Sequence, residues 1–180
     1  LITLIISERK EDVKMCDANS YRITSTYKMK LTGDLKALET SINIYRDALR
    51  ILIPIINDNW ETLSEYEFTN QKYNRIEKWI HNTKNNQALH NFDEQFPKFP
   101  TYLRRSAVAT ALGIVSSYRS NLANWEKEPK GQAPQLSLTH YTYPAYYKGN
   151  LFRNFDPIRQ TIELKVFKNG DWVYETYKLK

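Results

Sequence analysis

Four tyrosines and a lysine fall within nine residues, in the order His140-Tyr141-Thr142-Tyr143-Pro144-Ala145-Tyr146-Tyr147-Lys148. Flat rings stack on nucleobases, and neighbouring cations displace counterions from a phosphate backbone. Tyr143, Tyr146, Tyr147 and Lys148 are therefore candidate nucleic-acid contacts, and Arg153 and Arg159 flank the next segment. Some of these rings must pack inward; one or two are expected to stay outside as stacking platforms. A second basic group, Arg104-Arg105, stands at the start of a long helical pattern, close to its positive dipole end, which suits a phosphate. A surface salt bridge is the alternative use of the same pair. Arg119, Lys127 and Lys130 complete the basic candidates along and just beyond that helix.

The charge distribution points the same way. Residues 98–180 carry 13 Lys and Arg against 6 Asp and Glu, a net of +7, whereas residues 1–97 carry a net of −1. The whole positive excess lies with the tyrosine cluster. A solvated basic face with no nucleic-acid partner remains the plainer reading of such an imbalance.

Other chemistry finds little support. Cys16 is the single cysteine of the 180 residues, so neither an internal disulfide nor a thiolate zinc site can form. It has no basic neighbour to activate it. His81, His90 and His140 are scattered, and Asp93, Glu94, Glu126 and Glu128 read as solvated carboxylates rather than metal ligands. There are only 5 glycines, and no Gly-rich phosphate loop, Ser-centred elbow or Cys–His cluster is visible. No catalytic residue, metal or cofactor is expected. The longest apolar run is well short of the roughly 20 residues that cross a bilayer as a helix.

The elements that must position these side chains follow from periodicity. Apolar residues make up 41% of the chain, enough for a core. Tyr21–Leu31 alternates with the period of a half-buried strand. Thr32-Gly33-Asp34 breaks that pattern and offers helix caps. Leu35, Leu38, Ile42, Tyr45, Leu49 and Leu52 predict a helix from Asp34 to the low fifties, which Pro54 should kink or end. A second helix is expected over about Thr69–Thr83, a loop over Asn82–Asn91, and a stiff connector at Phe96–Pro100. The clearest helix runs from about Thr101 to Lys127. Its Gly113 costs about 1 kcal/mol against alanine, and a close helix–helix approach is the expected return.

Strand patterns resume after Gly131, at Leu136–His140, Leu151–Phe155, Gln160–Phe167 and Trp172–Leu179. Asn169-Gly170 between the last two is a preferred type I′ turn, which places Phe167 opposite Trp172 and Lys168 opposite Asp171. The fold class expected is α+β, with the first strand joining the late strands and the helices inserted between them. The opening residues 1–14 are read separately. Lys10-Glu11-Asp12 can be encoded by a ribosome-binding sequence upstream of Met15, so Met15 is expected to be the start and residues 1–14 a translated leader, a genuine N-terminal strand being the alternative.

This layout resembles the N-terminal half of TnpB-type proteins. These are transposon-encoded RNA-guided DNA endonucleases, also described as OrfB-family transposases and related to compact type V CRISPR effectors. The resemblance rests on the strand Tyr27–Leu31 followed by a helix with Tyr45-Arg46-Asp47-Ala48-Leu49. It rests also on Ser117–Leu122, the Gly-x-x-Pro segment Gly131–Pro134, and the closing hairpin Ile162–Leu179 with Trp172. It implies a wedge domain, a small antiparallel β-barrel (residues 15–33 and 129–180), interrupted by a helical recognition domain (residues 34–128).

The same resemblance implies partners: a structured guide RNA and double-stranded target DNA, in the bacterial cytoplasm. Such proteins recognise a heteroduplex by its backbone and shape. In that family the nuclease carboxylates lie in a later RuvC-like domain, so this chain by itself is expected not to cleave DNA. The reading leaves open a truncated gene copy, an expressed fragment or a stand-alone binder. An unrelated α+β RNA- or DNA-binding module, or a protein-interaction domain with an acidic partner, are the other expectations.

Overall fold

A computed structural model describes residues 30–139 and 141–180. The expected leader, Met15, Cys16, His140 and all but the end of the strand expected over Tyr21–Leu31 lie outside the described residues. The described elements are β1 (Leu31–Thr32), α1 (Lys36–Asp58), α2 (Trp60–Ser64), α3 (Thr69–Ile80), α4 (Phe92–Gln95), α5 (Thr101–Lys127), β2 (Phe152–Asp156), β3 (Thr161–Lys168) and β4 (Asp171–Leu179). The class is α+β. The four strands form one antiparallel sheet in the order β1-β4-β3-β2, open rather than closed among the described residues.

α1 begins where the Asp34 carboxylate accepts the Lys36 backbone N–H at 3.0 Å. Its apolar stripe, from Leu38 through Tyr45 to Ile56, is buried against α5 and β3. Of the two outcomes expected at Pro54, a kink or an end, the helix does not end there: it continues to Asp58. A proline removes one donor, here the one that would reach the Arg50 carbonyl, and Arg50 is exposed, so water can take that place. Apolar burial of Leu52, Ile53, Ile55 and Ile56 on either side outweighs the lost bond.

α5 has the expected bounds, but its core contact ends early. The buried positions run from Leu103 to Val115, whereas Tyr118, Leu122 and Trp125 of the expected stripe are only half-buried. Gly113 makes no close approach: it is exposed, and an added Cβ would meet nothing within 4 Å. The short helix α4 falls between the expected loop, Asn82–Asn91, and the expected connector, Phe96–Pro100, where no element is expected. It forms around an aromatic cluster in which Phe92 is fully buried beside Phe96 and Phe99.

β3 alternates as a strand with one face on a core must: Ile162, Leu164 and Val166 are fully buried. The turn is as expected, with Asn169 and Gly170 at φ 53° and 82° and Phe167 and Lys168 opposite Trp172 and Asp171. β2 pairs with β3 through a bulge between Arg153 and Asp156, where Asn154 takes a φ of 49°. Beyond the end of β2, the Phe167 N–H is left for another partner and donates to Ser41 Oγ of α1 at 2.7 Å. The strand expected at Leu136–His140 does not form over its described residues, which run as irregular chain.

Candidate nucleic-acid interface

After α5 the chain returns across the α1–α5 pair as an extended strap, residues 141–147, with no partner strand among the described residues. The strap alternates strictly. Tyr141, Tyr143, Ala145 and Tyr147 face outward, while Thr142, Pro144 and Tyr146 turn inward. Its centre is held by Ser106 of α5, whose Oγ accepts the Ala145 N–H at 3.0 Å. The Tyr45 hydroxyl of α1 lies 2.9 Å from Thr110 Oγ1 and 3.3 Å from the Ser106 carbonyl, joining both helices beneath the strap. Burial pushes the Tyr45 hydroxyl pKa above its ordinary value, against the opposing effect of the bonds to Ser106 and Thr110.

One end of the strap meets an arginine directly, and the other reaches one through Tyr102 of α5. At the first end, Arg46 of α1 donates from Nε to the Thr142 carbonyl at 3.2 Å. Its guanidinium lies 5.7 Å from the Tyr141 ring centre and 5.2 Å from that of Tyr143. Tyr141 is 82% exposed and Tyr143 46%. At the other end, the half-exposed Tyr147 ring packs at 5.7 Å on Tyr102 of α5, and Arg105 lies 5.3 Å from the Tyr102 ring. The result is a line of partly exposed tyrosine faces with a guanidinium at either end.

Three sequence candidates are removed from this surface. Arg104 is 4% exposed, and its Nε lies 3.0 Å from Glu77 Oε2 of α3. A buried guanidinium persists only when paired, and this one is committed to holding α3 against α5. The correction follows from helix phase: Arg104 lies near the centre of the buried arc of α5, and Arg105 one residue on is exposed. Tyr146 is also buried and lies against β3, its hydroxyl 3.5 Å from the Lys165 carbonyl. That burial makes it a core ring and not a stacking platform, and it also raises the hydroxyl pKa far above the ordinary tyrosine value. Arg119 donates from Nη2 to the Asn57 carbonyl at 2.8 Å, satisfying a group at the C-terminal end of α1.

The other candidates are exposed but scattered. Lys148 follows the strap directly. Lys127 is the last residue of α5, about 33 Å along the helix from Arg105 at 1.5 Å per residue, and Lys130, beyond that end, is paired with Glu128. Arg153 crosses the Tyr174 ring at 3.9 Å and donates to Glu163 at 2.7 Å. Asn154 and Arg153 together hold the Glu163 carboxyl below its usual range. Arg159 sits 3.7 Å from Asp156 beside an open cleft of about 480 Å³. Asp93 is not simply solvated: it binds His81 Nδ1 at 2.8 Å and accepts the Asn82 N–H.

Arg46 and Tyr102 were missed as site residues. Arg46 lies 96 positions before its strap partner, and nothing local marks it. Tyr102 carried a usable signal, since it directly precedes the basic pair at the exposed start of a helix. Among the described residues no group of three or more His, Cys, Asp or Glu could hold a metal ion, and no helix is long and apolar enough to cross a membrane.

Comparison with curated proteins and with solved structures gives no match. The sequence pattern of one family matches residues 23–168, which include every helix, the strap and the sheet up to the end of β3. The chain therefore belongs to the Aq_aa04 family.

Proposed function

We propose that this chain is a nucleic-acid-binding domain whose strap takes unpaired bases on Tyr141, Tyr143 and Tyr147, with Arg46 and Arg105 serving the phosphates. One observation carries the reading: every large residue on the outward side of the strap is a tyrosine, Arg46 stands against one end, and Arg105 stands beyond the other over Tyr102, the ring on which Tyr147 packs. Base–aromatic stacking tolerates any sequence and strengthens beside a cation. The strap also belongs to the half of the chain with net charge +7.

The finer form of the proposal is a TnpB-type wedge and recognition unit that binds structured guide RNA and target-adjacent duplex DNA without cutting. The chain order supports it, since one short strand precedes the helices and three follow, all in one sheet.

The test is binding of the purified chain to RNA transcribed from its own locus, with unrelated RNA as control, titrated across salt. Preference for the locus RNA with a steep salt slope supports the finer form. Equal, salt-sensitive binding supports a general nucleic-acid binder. Absence of binding at physiological salt overturns both and favours an acidic protein partner.

A further inference from the structure

Gly113 stands mid-helix in α5, a position where glycine lowers helix propensity, and no neighbour among the described residues requires it. It opens instead onto a groove of about 180 Å³ whose walls include Trp60, Tyr73, Lys72 and Ser116. The Lys72 ammonium lies 5.8 Å from the Trp60 ring centre, at the edge of this groove. Helix phase sets Gly113 on the same outward face of α5 as Tyr102 and Arg105, about 12 Å along the axis from Arg105.

From this placement we infer that the groove receives one unpaired nucleotide of a strand lying on the strap: the base rests on the bare backbone at Gly113 between Trp60 and Tyr73, and its phosphate meets Lys72. The inference rests on the proposed nucleic-acid function and extends it to a second base site. Two features fix the occupant. The groove holds about 180 Å³, the scale of a single base, and its walls combine two aromatic rings with one cation. A strand leaving Tyr147, Tyr102 and Arg105 also reaches it along a continuous helix face. Glu61, Glu65 and Glu67, in the segment of chain between the wall residues Trp60 and Thr69, disfavour a longer run of phosphates there.

The test measures binding of a dye-labelled, unstructured short RNA by fluorescence anisotropy, with thermal melts of each variant. Gly113→Ala is expected to raise the melting temperature and yet weaken binding, because its methyl group occupies the seat of the base. Gly113→Leu fills the groove and is expected to weaken binding about fivefold or more. Lys72→Ala is expected to lower the salt slope by about one. If the parent chain binds and Arg46→Ala weakens it while Gly113→Leu and Lys72→Ala bind like the parent, the groove inference is overturned and the strap reading stands. If the parent chain binds no RNA, both fall. Should Gly113→Leu not fold, Gly113→Ala and Lys72→Ala decide: unchanged affinity in both overturns the inference.

Discussion

Arg104 of α5 and Glu77 of α3 form an ion pair at 3.0 Å in which the arginine is buried and the glutamate keeps a quarter of its side chain in water. Its next-door neighbour Arg105 points to solvent over Tyr102. Two arginines adjacent in sequence thus have different tasks, and mutation should separate them. Arg104→Ala is expected to lower stability by about 2–3 kcal/mol, below the range for a fully buried pair because Glu77 stays partly wet. Arg105→Ala should leave stability within about 0.5 kcal/mol and lower the salt slope of RNA binding by about one. Urea unfolding and salt titration of both variants check this; a change of slope in Arg104→Ala at unaltered stability would contradict it.

Arg46 fixes the first half of the strap through the Thr142 carbonyl and lies beside two rings. Arg46→Ala is expected to weaken RNA binding more than Tyr141→Ala alone, since it removes a cation and frees both tyrosines. Tyr141→Ala should cost about 1–3 kcal/mol of binding and almost no stability, the ring being 82% exposed. Anisotropy titrations with melts decide; if Tyr141→Ala binds as the parent does, that ring is not a platform.

Tyr146 reads oppositely. Its ring is buried, so Tyr146→Ala is expected to destabilise by about 3–5 kcal/mol. Burial also raises its hydroxyl pKa above the ordinary 10.0, as it does for Tyr177, where a bond to Glu175 adds to the effect. A raised folded-state pKa means that the unfolded chain loses its proton first. Stability is then fully present below about pH 10 and falls as the pH rises beyond it, by roughly 1 kcal/mol per pH unit for Tyr146. Urea midpoints at pH 8, 10 and 11 test the sign, and Tyr146→Phe should make the decline shallower.

Ser41 is 1% exposed, donates to the Ala37 carbonyl and accepts the Phe167 N–H, both at 2.7 Å. Ser41→Ala strands that N–H where β2 has already ended. The expected cost is about 1–2 kcal/mol, the penalty for an unsatisfied buried donor. Amide hydrogen exchange at Phe167 should quicken by more than at Val166 if this bond protects it.

The reach of the sequence can be judged from these same residues. Periodicity located α1, α3, α5 and the β3–β4 hairpin, and Asn169-Gly170 set the register of Phe167 against Trp172. These are properties of residues within a few positions of one another, so the local chain determines them. The sequence also placed the aromatic and basic residues together in one half. It left open whether Pro54 kinks or ends α1, and it did not find α4, whose formation depends on packing among Phe92, Phe96 and Phe99.

What the tertiary structure alone decided is which candidates remain available to a ligand. Arg104 and Arg105, or Tyr146 and Tyr147, are indistinguishable by type. A rotation of about 100° along α5 and the two-residue alternation of the strap bury one of each pair and expose the other. Likewise Arg46 joins the tyrosine cluster only because the strap lies against α1, and Arg119 leaves the candidates only because α5 packs on α1, each bringing distant residues within hydrogen-bond reach. Chain composition determined that aromatic and cationic chemistry was present; the burial of one helix against another determined where that chemistry faces water.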